Sequence, residues 1–165
     1  MKSNLKANLS EDLFLIPYLV TVFFIFTASI YEYVIFRGMS LRFDAFFFSG
    51  FILVLAGSVL RYLSRRALVN AGMRTRDTPF LQKGHELVTA GVYGVIRHPL
   101  YLGEMLRNIG VPLLLKSMYG GFLVPVGIIL LFYRIEAEEK HLIRSYGQEY
   151  MKYMEGTWKL VPGFI

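Results

Sequence analysis

Four apolar blocks divide this chain, at about 13–36, 45–63, 99–115 and 119–133. Polar residues inside them are few: Glu32 in the first, Arg61 near the end of the second, and Glu104, Arg107 and Asn108 in the third. A helix that crosses a bilayer needs about 20 predominantly apolar residues. The first two blocks meet that length. The last two are short, which predicts little tilt or a locally thinned bilayer. The pattern therefore predicts an all-α integral membrane protein with about four transmembrane helices.

The polar positions between the blocks set an orientation. Segment 64–97 carries Arg65, Arg66, Arg74, Arg76, Lys83 and Arg97, and the C-terminal segment carries Arg134, Lys140, Arg144, Lys152 and Lys159. The link between the third and fourth blocks has only Lys116, and the link between the first and second has Arg37 and Arg42, offset by Asp44. Loops rich in Lys and Arg stay in the cytoplasm. Both termini and the 64–97 segment are therefore expected there, as an even number of spans requires. The third and fourth blocks read as a helical hairpin turning near 116–121. At 1.5 Å per residue each limb is about 25 Å long. Their cytoplasmic ends, Arg97-His98-Pro99 and Arg134–Glu139, should then lie level. Pro99 suits the first turn of a helix, where its missing N–H costs nothing. After Arg134 an amphipathic cytoplasmic helix is expected, with Ile135, Leu142, Ile143, Tyr146, Tyr150 and Tyr153 as its larger apolar residues. Gly147 is its weak point and Gly156 its stop. The apolar tail 158–165 suits the membrane interface. One membrane domain, 1–165, thus divides into two N-terminal spans (1–63), a cytoplasmic connector (64–98), a hairpin (99–133) and a cytoplasmic helix and tail (134–165).

Composition strengthens the membrane reading: 55% of residues are hydrophobic and 16% aromatic, and the mean hydropathy is +0.46. A soluble domain of this size rarely carries so much apolar surface. The net charge of +6 sits in the connecting segments, so topology accounts for it and nucleic acid is not an expected partner. Cysteine is absent, which excludes disulfides, thiolate catalysis and Cys-based metal sites. Lys2 and Lys6 precede the first block with no small-residue cleavage site after it, the pattern of a retained anchor. His85, His98 and His141 match no metal spacing, and His85-Glu86 lacks the second histidine of a zincin helix, so no metal site is expected. No dinucleotide-binding glycine motif, P-loop or nucleophile elbow occurs.

Two polar clusters remain, residues 85–101 and Arg134-Ile135-Glu136-Ala137-Glu138-Glu139. If the hairpin crosses and returns, they meet at one membrane surface. Three carboxylates at a span's cytoplasmic exit, where basic residues are usual, call for cationic or hydroxyl partners. Glu104 and Arg107 lie inside a span, where ionisable residues either serve function or pair to hold helices together.

The spacing His85-x-Leu87-Val88-Thr89-x-Gly91-Val92-Tyr93, then Arg97-His98-Pro99-x-Tyr101, resembles the first block of the isoprenylcysteine carboxyl methyltransferase family. The wider superfamily includes phospholipid N-methyltransferases. Arg134-Ile135-Glu136-x-Glu138-Glu139, followed by Tyr146-Gly147-x-Glu149-Tyr150-x-x-Tyr153, resembles its second block. The resemblance spans about 85–162. It implies S-adenosylmethionine as cofactor, held without a Rossmann fold by His85, Glu86, Leu87, Val88, Tyr93, His98, Pro99, Leu100, Tyr101 and Glu138. It places Arg134 and Glu138 in the catalytic role, with Arg134 facing the substrate. Glu104 joins Arg134 as a substrate-binding candidate. The implied acceptor is a lipophilic small molecule or a prenylated substrate delivered by membrane lipid, methylated at what is expected to be a carboxylate. Gly156-Thr157-Trp158-Lys159 departs from the family's usual Val-Pro in that region.

Two other readings compete. His98-Pro99-Leu100-Tyr101-Leu102-Gly103-Glu104 also resembles membrane sterol or fatty-chain reductases, which implies NADPH. Those enzymes tend to have Asn before the tyrosine and Asp-Glu with a tryptophan in the second block, whereas Leu100, Glu138-Glu139 and Tyr150 stand here. A non-enzymatic bundle would pair Glu32, Arg61, Glu104 and Arg107 internally. The short chain without a targeting peptide points to a prokaryotic plasma membrane in preference to the endoplasmic reticulum.

Overall fold

The computed structural model describes residues 2–72 and 87–163, with side chains from Phe14 onward in the first stretch. The described chain is helical: α1 (Lys2–Ile35), α2 (Ala45–Asn70), a short 3-10 turn (Gly91–Gly94), α3 (Pro99–Leu115), α4 (Met118–Tyr146) and α5 (Gln148–Glu155). Local signals set the boundaries. Asp44 caps α2 by accepting the Phe47 N–H at 3.2 Å, and Ser117 caps α4 by accepting the Gly120 N–H at 2.9 Å. Lys116 adopts the left-handed conformation (φ 54°) between α3 and α4, so the hairpin turns within Lys116 and Ser117. Pro99 opens α3.

Packing follows the logic of helices in lipid, where small residues let backbones approach. α2 lies on α3 with Gly50 and Gly57 facing Gly110 and Gly103, and α1 lies on α4 with Ile25 and Ser29 against Gly120 and Gly127. The buried face of α1 repeats as Tyr18, Ile25, Ser29 and Glu32. The core joins Tyr18, Met105, Leu131, Ile135 and Leu160. Large apolar side chains cover the outside instead: Phe23, Phe46, Phe122, Ile129 and Tyr133 are all exposed. That outward apolar coat, made for lipid, is where the high hydropathy resides.

Among the described residues three helical segments are long and apolar enough to cross a membrane: Phe14–Ile35, Ala45–Asn70 and Met118–Tyr146. α3, with 17 residues, is the short member beside them. The two ends of the bundle are chemically distinct. One gathers the end of α1, the start of α2 and the α3–α4 turn. There Glu32 accepts the Ser117 hydroxyl at 2.7 Å and the Tyr119 N–H at 3.1 Å, and Lys116 pairs with Asp44. The other end carries the two polar clusters.

One expectation is corrected. The amphipathic helix does not start at Arg134: α4 runs unbroken for 29 residues to Tyr146, and α5, the separate amphipathic piece, begins after the expected weak point at Gly147 and stops at Gly156. Residues 134–146 contain good helix formers and no breaker, so the helix stops only at Gly147, whose φ of 56° and ψ of −125° are glycine geometry. The second cluster therefore sits inside a rigid rod instead of at its start. α2 likewise continues beyond residue 63, because Ser64 and Leu68 still have a buried face to fill.

Candidate active site

The chain enters α3 along an extended segment that is stitched to the C-terminal tail. Arg97 N–H donates to the Trp158 carbonyl at 2.8 Å, His98 N–H to the Lys159 carbonyl at 3.1 Å, and Trp158 N–H to the Val95 carbonyl at 2.9 Å. This short parallel bridge between Ile96 and Trp158 ties the first cluster to the residues that follow the second. Arg97 completes the stitch. Its guanidinium donates to Glu139 Oε1 at 3.1 Å, to the Met154 carbonyl at 2.9 Å and to the Thr157 carbonyl.

His98 caps α3 at 3% exposure. Its Nε2 lies 3.2 Å from Glu139 Oε1 and its Nδ1 3.6 Å from Glu138 Oε2. Burial alone would lower its pKa. The carboxylates of Glu138 and Glu139, one facing each ring nitrogen, outweigh that and raise it above the ordinary 6.5. Stability from this raised pKa is fully present below pH 6.5 and is lost as pH rises through the raised value. Wild type should therefore lose more thermal stability than His98→Gln as pH climbs from 6.5, which melting curves across pH would read. Parallel curves would contradict it.

The two adjacent carboxylates differ sharply. Glu139 is saturated: Arg97, His98 and Lys159 Nζ (2.8 Å) all converge on it. Glu138 is 4% exposed, and its Oε2 has no hydrogen-bond partner. The buried hydroxyls of Tyr93 and Tyr150 are likewise without a partner. Burial and then the nearby carboxylates push both phenols well above the usual tyrosine range, so they remain donors. Tyr153 donates its hydroxyl to the Tyr93 carbonyl at 2.7 Å, and burial pushes its pKa up to about 12. Tyr101 stacks at a tilt on His98 (5.8 Å between centroids) and accepts the Arg134 Nε–H at 2.9 Å. Arg134 also lies over the Tyr101 ring, 5.8 Å from its centroid.

The structure thus brings Tyr93, His98, Pro99, Tyr101, Arg134 and Glu138 to one end of the bundle. Val88 and Leu100 pack with Leu68, Tyr93, Val92 and Ala67 as an apolar wall beside them, and Leu87 is half-buried. His85 and Glu86 lie outside the described residues. Glu104 stands apart, further along α3, paired with Arg61 of α2 and 3.9 Å from Arg107. Arg97, Glu139, Tyr150 and Tyr153, which the sequence offers as motif residues without a cofactor contact, join the cluster, and Lys159 joins it from the tail. The Tyr150-x-x-Tyr153 spacing after Glu149 was the available signal for two of them.

A cofactor such as S-adenosylmethionine presents an ammonium, a carboxylate and ribose hydroxyls. The unpartnered Glu138 oxygen and the two unpartnered tyrosine donors are complementary to those groups. The N–H groups at the start of α3 add donors for an anion. The residues present fit the cofactor.

The fold and site together define a multi-span helical membrane protein with a buried polar cluster at one end. The phospholipid methyltransferase family profile matches residues 45–149, and the chain belongs to that family. Protein-S-isoprenylcysteine O-methyltransferase of Xenopus laevis is 38% identical over 111 residues, which cover 63% of this chain and 36% of the relative. The Schizosaccharomyces pombe protein of that name is 30% identical over 131 residues, 74% of this chain and 56% of the relative. Protein-S-isoprenylcysteine O-methyltransferase B of Arabidopsis thaliana is 28% identical over 116 residues, 68% and 57% respectively. The chain spans little more than half the length of these curated relatives, or less. The solved structure of the eukaryotic intramembrane Ras methyltransferase (isoprenylcysteine carboxyl methyltransferase) shares the fold, with a TM-score of 0.58 at 23% identity over 92% of this chain and 52% of that one.

Proposed function

We propose that the chain is an integral membrane methyltransferase that uses S-adenosylmethionine and methylates a lipophilic or prenylated carboxylate. The observation that carries this reading is the unpartnered Glu138 oxygen, buried beside a fully neutralised Glu139. Family membership and the names of the relatives support it. S-adenosylmethionine would supply an electrophilic methyl group on a sulfonium, leaving a thioether when that methyl becomes part of an ester.

The chain's residues divide the remaining work. Glu138 accepts from the cofactor ammonium, and Tyr93 and Tyr150 donate to its oxygens. His98 and Pro99 fix the start of α3, while Val88 and Leu100 exclude water. Arg134, braced by Tyr101, holds the acceptor carboxylate; its planar fork suits two oxygens at once. A carboxylate needs no general base, so positioning in a dry pocket supplies most of the catalysis. The basic character of segments 64–72 and 134–163 supports a cytoplasmic location for this end of the bundle and for both termini.

Labelled methyl transfer to N-acetyl-S-farnesylcysteine in detergent tests the reading, with the product identified as an ester by its lability in base. Arg134→Gln should raise KM for that acceptor about 10- to 100-fold and leave S-adenosylhomocysteine binding nearly unchanged. An unchanged KM would remove Arg134 from the acceptor site. A base-stable product would make the acceptor atom something other than a carboxylate oxygen.

A further inference from the structure

The end of the bundle opposite the active site holds a cavity of about 440 Å³, lined by Glu32, Tyr33, Phe36, Arg37, Ser40, Leu41, Arg42, Leu114, Leu115 and Lys116. Its charged residues are not equivalent. Glu32 is taken by the Ser117 hydroxyl and the Tyr119 N–H, and Lys116 by Asp44. Arg37 spends one nitrogen on the Lys116 carbonyl at 2.8 Å and keeps its other N–H groups. Arg42 is exposed and has no ion pair among the described residues. Two guanidinium groups therefore rim a cavity whose acidic neighbours are already engaged. Phe36, Leu41, Leu114 and Leu115 supply its apolar wall.

The loop that carries both arginines is held in place. Tyr33 donates its hydroxyl to the Met39 carbonyl at 2.7 Å and accepts the Met39 N–H with its own carbonyl at 3.3 Å. Gly38 and Met39 both have positive φ, 54° and 60°. For methionine that is an unfavourable conformation, which persists only where surrounding contacts enforce it. Met39 and Phe43 are exposed beside the cavity, and the wall residues Phe36 and Leu41 are themselves open to the surroundings, as suits a rim set at the level of lipid headgroups.

We propose that this cavity is a binding site for an anionic phospholipid. Arg37 and Arg42 grip the headgroup phosphate, and the apolar wall takes the first part of an acyl chain. Guanidinium groups match phosphate oxygens bidentately, and their fixed charge favours an acidic headgroup over a zwitterionic one. The apolar wall favours a lipid over a free phosphate ion. The site lies away from Glu138 and Arg134, so it is independent of the methyltransferase reading.

The test measures phosphatidylglycerol binding to delipidated, detergent-purified protein by native mass spectrometry. Phosphatidylcholine and inorganic phosphate serve as separate arms. Wild type should retain phosphatidylglycerol in preference to phosphatidylcholine. Arg42→Gln should weaken that binding about tenfold, and Arg37→Gln with Arg42→Gln should abolish the preference. Thermal melting, unchanged in both variants, would report that they are folded. Equal retention of the two lipids, or the same preference in the double variant, would overturn the proposal. So would inorganic phosphate competing at the lipid's own concentration, which would reassign the cavity to a free anion.

Discussion

Replacing Glu138 with glutamine is expected to weaken S-adenosylhomocysteine binding about 10- to 100-fold while destabilising the unliganded protein far less than Glu139→Gln does. Both halves follow from one geometry. Glu138 is 4% exposed, and its Oε2 meets no donor within hydrogen-bond distance, His98 Nδ1 standing 3.6 Å away, whereas Glu139 is fully engaged. An amide of the same shape keeps the packing and removes the charge the ligand needs. Glu139 makes the control. Arg97, His98 and Lys159 all rely on it, so Glu139→Gln should destabilise by about 3 kcal/mol, the lower range for breaking a buried pair. Calorimetric titration and thermal melts of the two variants separate these effects. If Glu138→Gln melted well below wild type and bound the ligand normally, Glu138 would be a structural carboxylate and the pocket assignment would fail.

The second large effect concerns the scaffold. Gly50→Ala should cost about 3 kcal/mol, the upper part of the usual range for overpacking, and so lower Tm by about 6–12 °C. A Cβ at Gly50 would meet the Leu114 amide, with the Gly110 carbonyl oxygen and the Leu114 Cα both at 2.7 Å. These are backbone atoms of α3, which cannot rotate away as a side chain would. Gly121 is the internal control, since a Cβ there meets nothing within 4 Å. Gly121→Ala should be neutral or slightly stabilising. Comparable melting of the Gly50 and Gly121 variants would mean that α2 and α3 are not in backbone contact.

The apolar blocks made the helices legible, because lipid-facing and buried positions are both apolar and the signal survives whichever way a helix turns. Ends were harder. Nothing in residues 134–146 forbids a helix, so α4 ran through the boundary where composition changed from apolar to charged. Polarity reports solvent, whereas helix termination needs a breaker, and that came only at Gly147. Within the site, His98, Arg134 and Glu138 could be selected from residue chemistry and spacing. The split of labour between Glu138 and Glu139 could not. Adjacent helical residues look alike in sequence, and only the tail shows which one receives Lys159 and Arg97. The segment Gly156–Lys159, read from the sequence as a departure from the family pattern, is where the backbone of Trp158 and Lys159 joins the chain entering α3. Backbone hydrogen bonds of this kind leave almost no trace in side-chain identity.

The most direct test of the central claim is calorimetric titration of detergent-purified wild-type protein with S-adenosylhomocysteine, repeated with excess NADPH present. Saturable one-to-one binding that NADPH does not displace is expected. Folded protein that takes up NADPH and shows no heat with S-adenosylhomocysteine would contradict it and assign the pocket at the start of α3 to a different cofactor.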